Sequence, residues 1–381
     1  MRIAVNTRLL LKGRLEGIGW FAYHTLKRIA ASHPQHQFLF LFDRPFDDEF
    51  VFGANVTPRV IAPPSRHPVL WYMWFEWSVP RALKQWNADV FLSPDGYGSL
   101  RTAVPTCLVV HDLAFEHYPE HLRASHRWYL RHYTRLFCEK ASRIVTVSEY
   151  SKKDIAERYH IPPEKIAVAC NGAHEAYHQL TPDEREAAKE EYAGGAEYFV
   201  FVGALHPRKN VEALLRAFIR FKKRQRSNMK LVIVGRMAWK YEALEGMKEK
   251  MPFKEDVTWL GYRGAEELAR IIGGAYALVY ASLFEGFGIP ILEALTAGVP
   301  AVVSNTSSMP EVAGDAGLLC DPTSKESIAE AMQKIYKDEA LRARLVAAAP
   351  AQAARFSWER AADVLWESVE QCAESTAQKG R

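Results

Sequence analysis

The chain has 381 residues, of which 48% are hydrophobic and 25% charged, with a formal net charge of +4. At roughly 100 to 200 residues per domain this length predicts two domains, each able to bury its own core, and excludes a single small module. The weak and evenly spread charge argues against nucleic acid as a main partner, and no run of about 18 apolar residues is present to cross a bilayer.

Met1 to Leu10 lacks the apolar region and cleavage site of a signal peptide, which predicts a protein that stays in the cytoplasm. Apolar β-rich runs then alternate with helical patterns, as in parallel sheets wrapped by helices. The first half predicts strands at Arg2–Val5, Gln37–Phe42, Arg59–Ala62, Asp89–Leu92, Thr106–Val110, Ile144–Val147 and Ile166–Ala169. Continuous runs such as FLFLF and CLVV suit strands covered on both faces. VLWYMWFEWSVP, Val69 to Pro80, holds Trp71, Trp74, Trp77, Tyr72 and Phe75. It reads either as a surface that docks a lipid or stacks on sugar rings, or equally well as a buried helix. From Arg123 to Arg143 a helical pattern sets Arg127, Arg131 and Arg135 at four-residue spacing, opposite Tyr129, Tyr133 and Leu136. That stripe suits an anionic membrane or a lipid-diphosphate acceptor, or a solvated face over a packed one.

The segment Asn171 to Gly195 is polar, with Pro182 and a Gly-Gly pair, and is expected to be the domain linker. A second alternating series follows, with strands at Tyr198–Val202, Lys230–Val234, Val257–Leu260, Ala277–Tyr280, Ala301–Ser304 and Gly317–Cys320. This half reads as a self-contained Rossmann-like domain. After Ser324 the pattern is helical, and the last helix, Trp358 to about Cys372, carries Ala361, Ala362, Val364, Leu365 and Trp366 as an apolar face that could return to the first domain. The expected division is 1–175 with a C-terminal helix near 357–375, and 190–355. The cysteines, Cys107, Cys138, Cys170, Cys320 and Cys372, are scattered, odd in number and without a CxxC pair, so neither a disulfide framework nor a zinc site is expected.

Ligands of open parallel sheets bind beyond the carboxyl ends of strands. After FVFV comes GALHPRKN, where Arg208 and Lys209 stand side by side before a helix. A guanidinium that can bind bidentately, an ammonium and a helix N-terminus together suit a diphosphate. Gly203 permits close backbone approach, and Asn210 could cap the helix. After YALVYAS, Glu285 lies in a turn with Gly286 and Gly288, Pro290 opens a helix, and Glu293 follows about one turn in. Two carboxylates suit vicinal hydroxyls, hence sugar and ribose. Glu293 could instead complement the helix dipole, and a glycosidase pair would leave Arg208 and Lys209 unexplained. Phe284, Phe287, Ile289 and Ile291 read as packing residues.

EGFGIPILE resembles the E-x7-E signature of the retaining glycosyltransferases of family four. GIGWFAYHTL, DVFLSPDG, PTCLVVHDLAFEHYP, IVTVSEYSKKDI, the Asn171-Gly172 pair, GALHPRKNVEALLRAF, LVIVG, WLGY and ALTAGVPAVVSN stand in that family's order over nearly the whole chain. The resemblance implies the GT-B fold, two Rossmann-like domains facing a cleft, with the nucleotide-sugar donor on the second and a glycan or lipid-linked acceptor on the first. Arg208 and Lys209 would hold the donor diphosphate and Glu293 the ribose. Glu285, Gly286 and the backbone of Phe287, Gly288 and Ile289 would contact sugar and phosphates, with Gly203 and Gly235 at neighbouring strand ends. Gly17 and Gly19 would approach the diphosphate, Tyr262 and Arg263 would border the base, and His111 would stand beside the transferred sugar. By itself His111 would be a strand-end histidine with a satisfied hydrogen bond, and Asp112 beside it suits a loop-orienting role.

Cys170 where the family usually has proline, and Ala173-His174 where it often has an aliphatic residue and aspartate, are departures near the linker. No cofactor and no metal are expected, because the two cations would replace a DxD-bound ion. HDL and FEHYP look most like the branch that builds surface polysaccharides from GDP-mannose and related donors. The rival classes are a noncatalytic glycosyltransferase-like partner that binds sugar nucleotide or glycan, and an epimerase or phosphorylase of the same architecture. An NAD enzyme is disfavoured because GIGWFA is not GxGxxG.

Overall fold

The computed structural model describes residues 1–236 and 242–379. They form two units, one of Met1–Asn171 together with the chain from Ser357, the other of Gly172–Phe356.

The first unit is a seven-stranded sheet in the order β3-β2-β1-β4-β5-β6-β7. Its strands are β1 (Arg2–Asn6), β2 (Gln37–Phe42), β3 (Val56–Val60), β4 (Val90–Ser93), β5 (Thr106–Val109), β6 (Arg143–Thr146) and β7 (Ile166–Val168). Every pairing is parallel, with Ile3 opposite both Phe38 and Val90. The inner strands β1, β2, β4, β5 and β6 are short, mostly apolar runs buried on both faces, as all-parallel sheets covered by helices require. β3 begins earlier than the sequence suggests, at Val56 and not Arg59, and runs through Pro58. β3 is an edge strand, where a residue without an N–H costs no ladder bond on the open side.

Val69–Pro80 is helical throughout: Pro68–Met73, a π turn at Trp74–Ser78 and a further helix Val79–Trp86. Trp74 and Phe75 are fully buried against Leu39, Leu41 and Phe91. The helix Ala124–Lys140 turns Tyr129, Phe137 and Cys138 inward. The C-terminal helix Trp358–Lys379 packs on the first unit: Trp366 stacks on His33 with ring centroids 3.8 Å apart, Trp358 on His24 at 4.6 Å, and Ala361, Ala362 and Leu365 are buried.

The second unit holds six parallel strands in the order β10-β9-β8-β11-β12-β13. They are β8 (Tyr198–Val202), β9 (Lys230–Val234), β10 (Val257–Gly261), β11 (Ala277–Tyr280), β12 (Ala301–Ser304) and β13 (Gly317–Cys320). The stretch expected as a linker is largely built into this unit. Residues 182–193 are a helix opened by a Thr181–Glu184 capping box with Pro182 in its first turn, and ended by Gly194 in the left-handed conformation. The proline and glycine that looked like breakers are its start and stop signals. Buried Ala188 and Tyr192 fasten it inward, and Lys189 pairs with Glu197 at 2.6 Å.

Candidate functional site

In the second sheet the strand order reverses between β8 and β11, so the loops leaving these two strands diverge and open a crevice at their carboxyl ends. The loop after β8 starts at Gly203 and the one after β9 at Gly235, with φ of 150° and 152°. A Cβ on Gly235 would lie 1.9 Å from the Gly203 carbonyl oxygen, so the two strand ends meet only because this residue has no side chain.

Beyond Gly203, Pro207–Lys209 forms a 3-10 turn whose Arg208 N–H is capped by the His206 ring. The helix itself begins at Val211. Asn210 does not cap it: the residue adopts φ 59°, and its amide donates to the carbonyls of Ala281, at 2.9 Å, and Pro322, at 2.8 Å. It thereby ties together the loops after β8, β11 and β13. A backbone bond from Leu283 N–H to the Arg208 carbonyl, 2.9 Å, adds a further tie.

These ties bring Arg208 and Lys209 onto Glu285. The Arg208 guanidinium donates to the Phe284 carbonyl at 2.6 Å and to Glu285 Oε2 at 3.2 Å, and Lys209 Nζ donates to Glu285 Oε1 at 2.7 Å. The Tyr280 hydroxyl accepts from Lys209 Nζ and donates to the same Oε1. Burial would raise the Glu285 carboxyl, but the charges of Lys209 and Arg208 outweigh it and hold the group at about 2. Tyr280 is driven well above the phenol range by burial and by the neighbouring Glu285 charge. The Glu285 turn is latched from the loop after β12: Ser307 Oγ accepts from Glu285 N–H at 3.0 Å, and Ser308 Oγ donates to the carbonyls of Glu285 and Phe287. Tyr280, Ser307 and Ser308 escape sequence reading, since serine after a strand and tyrosine at its end are commonplace.

Gly288, at φ 97°, is the N-cap of the helix Ile289–Thr296, with Pro290 in its first turn. Gly286 shows no such positive φ. Phe284, Phe287 and Ile291 are buried, while Ile289 is half-buried. Glu293 stands in a different environment from Glu285. It hydrogen-bonds the Tyr177 hydroxyl, with no cation acting on it among the described residues, and burial pushes its carboxyl up to about 7. Tyr177 lies near the start of the second unit, ahead of the 182–193 helix. The structure therefore links Glu285 to Arg208 and Lys209, but gives Glu293 a partner of its own. At the end of β10, Tyr262 is 65% exposed, and Arg263 pairs with Glu267 at 2.9 Å.

The remaining candidates belong to the first unit. His111 follows β5, where Nε2–H donates to the Pro94 carbonyl at 2.8 Å and Phe21 meets the ring edge-on at 5.1 Å. Burial lowers its pKa against the raising effects of that bond and of Asp112 and Asp95, so the neutral ring leaves Nδ1 as an acceptor. Asp112 accepts from Ala114 N–H at 2.8 Å, a loop-orienting contact. Gly17 opens the helix Gly17–Ser32. At Gly19 a Cβ would come within 3.0 Å of the Leu15 side chain and 3.1 Å of the Leu9 carbonyl, so the residue serves close packing of that loop. Among the described residues no group of three or more His, Cys, Asp or Glu side chains is placed to hold a metal ion.

Known proteins place this architecture. Residues 15–176 match the family model described as Glycosyltransferase Family 4, and residues 182–352 the one described as Glycosyl transferases group 1. The O-antigen chain mannosyltransferase B of Escherichia coli is 29% identical over 92% of this chain and 94% of its own length. The O-antigen chain mannosyltransferase RfbU of Salmonella typhimurium is 28% identical over 74% of this chain and 76% of its own. Among solved structures, Anabaena HepE in complex with UDP and glucose superposes with a TM-score of 0.73 at 17% identity, covering 99% of this chain and 100% of that one. The lipopolysaccharide-biosynthesis glycosyltransferase WaaG gives 0.74 at 19%, covering 95% and 99%.

Two Rossmann-like units with such neighbours define the GT-B fold. The chain belongs to the family 4, group 1 glycosyltransferases.

Proposed function

We propose that the protein is a retaining transferase. It takes a hexose from a nucleoside diphosphate sugar, with GDP-mannose favoured over a UDP-hexose, and passes it to a glycan or lipid-linked acceptor in cell-surface polysaccharide synthesis. The observation that carries this reading is the convergence of Arg208, Lys209 and Glu285 at the strand-order reversal of the second sheet. Two fixed cations against one carboxylate leave a positive balance where a diphosphate would depart. The names of the Escherichia coli and Salmonella relatives support mannose and polysaccharide, and the UDP and glucose bound to HepE support a nucleotide sugar.

In this reading the acceptor oxygen bonds to the anomeric carbon from the face on which the bond to the diphosphate oxygen breaks. The acceptor proton passes to a diphosphate oxygen, and configuration is kept. Arg208 and Lys209 stabilise the charge that develops on the leaving group. Glu285, with both oxygens engaged by those cations, positions them and is a poor nucleophile. Glu293 accepts from the ribose hydroxyls, while the backbone from Gly286 to Ile289, with Gly203 and Gly235, approaches phosphates and sugar. Tyr262 and Arg263 border the base, Gly17 and Gly19 approach the diphosphate, and His111 stands beside the transferred sugar. The route contains no metal step, so transfer is expected to persist in EDTA. Arg127, Arg131 and Arg135 are the side chains expected to meet the inner membrane surface in a cytoplasmic, peripheral protein.

Thermal unfolding against GDP, UDP, ADP and CDP and their sugar conjugates in EDTA tests this reading. Ligand at 100 times its dissociation constant adds about 2.7 kcal/mol of stability. A shift with guanosine nucleotides supports the donor assignment, a shift with another base reassigns it, and no shift with any favours a noncatalytic partner.

A further inference from the structure

Of the eight large hydrophobic side chains exposed among the described residues, four lie on two neighbouring helical stretches of the first unit: Val69, Met73, Trp77 and Trp128. Val69, Met73 and Trp77 recur at four-residue spacing along 68–86 and are 60%, 37% and 55% exposed, while Trp74 and Phe75 between them fill the core. Trp128, 61% exposed, stands on the helix Ala124–Lys140. Two half-buried rings bridge the stretches. Tyr72 meets Tyr133 at 6.0 Å between centroids, and Tyr133 meets Trp128 edge-on at 6.1 Å. The exposed residues thus form one apolar strip across both.

Cations outnumber acids along these two stretches. The two stretches carry Arg81, Lys84, Arg127, Arg131, Arg135 and Lys140 against two acids, Glu76 and Glu139. Glu76 is buried and accepts from the Leu100 N–H, and Glu139 pairs with Arg135 at the far end of its helix. Beside Trp128, Arg127, Arg131, Arg135 and Arg158 line a groove of about 620 Å³, which Glu116 borders through its pair with Arg131. Tryptophan and aliphatic side chains interleaved with arginine match the chemistry of a headgroup boundary, where rings sit at the acyl edge and cations meet phosphates. A protein partner would have to supply acids along the whole strip, whereas an anionic leaflet presents them everywhere.

We propose that this strip is the surface by which the protein lies on an anionic phospholipid bilayer, with Val69, Met73, Trp77 and Trp128 entering the interface and the arginines at the phosphate level. The proposal rests on the reading above in taking the acceptor to be lipid-linked, and extends it by assigning the aromatic helix, and not the arginines alone, to the contact.

Co-sedimentation of the full chain with vesicles tests it, comparing pure phosphatidylcholine with an equimolar mixture of phosphatidylcholine and phosphatidylglycerol. The wild type is expected to sediment with the mixed vesicles, to leave them as salt is raised, and to ignore the neutral ones. A variant carrying Arg127→Ala, Arg131→Ala and Arg135→Ala should lose binding by on the order of 100-fold. A variant carrying Met73→Ser, Trp77→Ser and Trp128→Ser should lose about tenfold or more, with its melting temperature and nucleotide response unchanged. No sedimentation, equal sedimentation with both vesicle types, or sedimentation unaltered in the serine variant would overturn the proposal. So would a wild-type dimer that the serine variant dissolves, which would give the strip to a second copy of the chain. Vesicle binding without any nucleotide-induced shift would count against the proposed transferase function and leave this surface standing.

Discussion

Two glutamates eight residues apart are pushed in opposite directions, because the charges of Lys209 and Arg208 hold Glu285 down to about 2 while burial pushes Glu293 up to about 7. Glu285 is ionised throughout the physiological range. Its folded pKa lies below the unfolded value, so its stabilising effect is full above about pH 4.5 and fades as pH falls towards 2. Replacing either cation with alanine should lower turnover by about 100- to 1000-fold, with far-ultraviolet circular dichroism unchanged. Initial rates of transfer from GDP-mannose check this, and wild-type rates in Arg208→Ala would remove the guanidinium from the reaction. Burial pushes the Glu293 carboxyl up to about 7, so its charge changes across the neutral range. Its folded pKa is raised, so ionisation costs stability as pH rises from about 4.5 through 7. If the ribose hydroxyls donate to its carboxylate, nucleotide affinity should rise through the same range and level off above it. The Tyr177 bond lowers the Glu293 pKa, so Tyr177→Phe should move that midpoint to higher pH. Calorimetric titrations of nucleotide at a series of pH values read the shift, and a midpoint unchanged in Tyr177→Phe would sever the link.

At the scale of elements, the site depends on where strands end. Gly235 closes against the Gly203 carbonyl with no room for a methyl group, so Gly235→Ala should destabilise the second unit by more than about 3 kcal/mol. Gly264, at φ −70° with open space around its Cβ position, should accept alanine within about 0.5 kcal/mol. Urea unfolding of the two variants, followed by the same probe, makes the comparison. The periodic strands and the Glu285 turn with its following helix were legible in the sequence, since alternation of short apolar runs with helical patterns reports burial on both faces. The 182–193 helix was not, because its surface is mostly charged and its proline and glycine carry the same letters in a cap as in a break. The role of Asn210 was likewise hidden: its side chain reaches residues 281 and 322, far outside any local window.

At the scale of the whole molecule, the chain leaves the first unit at Asn171 and returns to it at Ser357. The returning helix is held by aromatic stacking, so Trp366→Ala should cost the first unit roughly 3 to 5 kcal/mol. Differential scanning calorimetry should show the loss in one transition, while the nucleotide-induced shift, assigned mainly to Arg208, Lys209 and Glu293 of the second unit, persists. Loss of that shift in Trp366→Ala would show that the donor residues depend on the integrity of the first unit.

The sequence by itself determined the two alternating α/β halves, the strand ends where chemistry gathers, and the candidate residues Arg208, Lys209, Glu285 and Glu293, because periodicity and residue type are local properties. Only the tertiary structure decided which of these residues meet. Arg208 and Lys209 reach Glu285 because the strand order places β8 beside β11, and a strand order is a pairing of distant segments that no single stretch encodes. The same holds for Tyr177 on Glu293 and for the aromatic helix, whose buried and exposed tryptophans were separated only by what packs against each face.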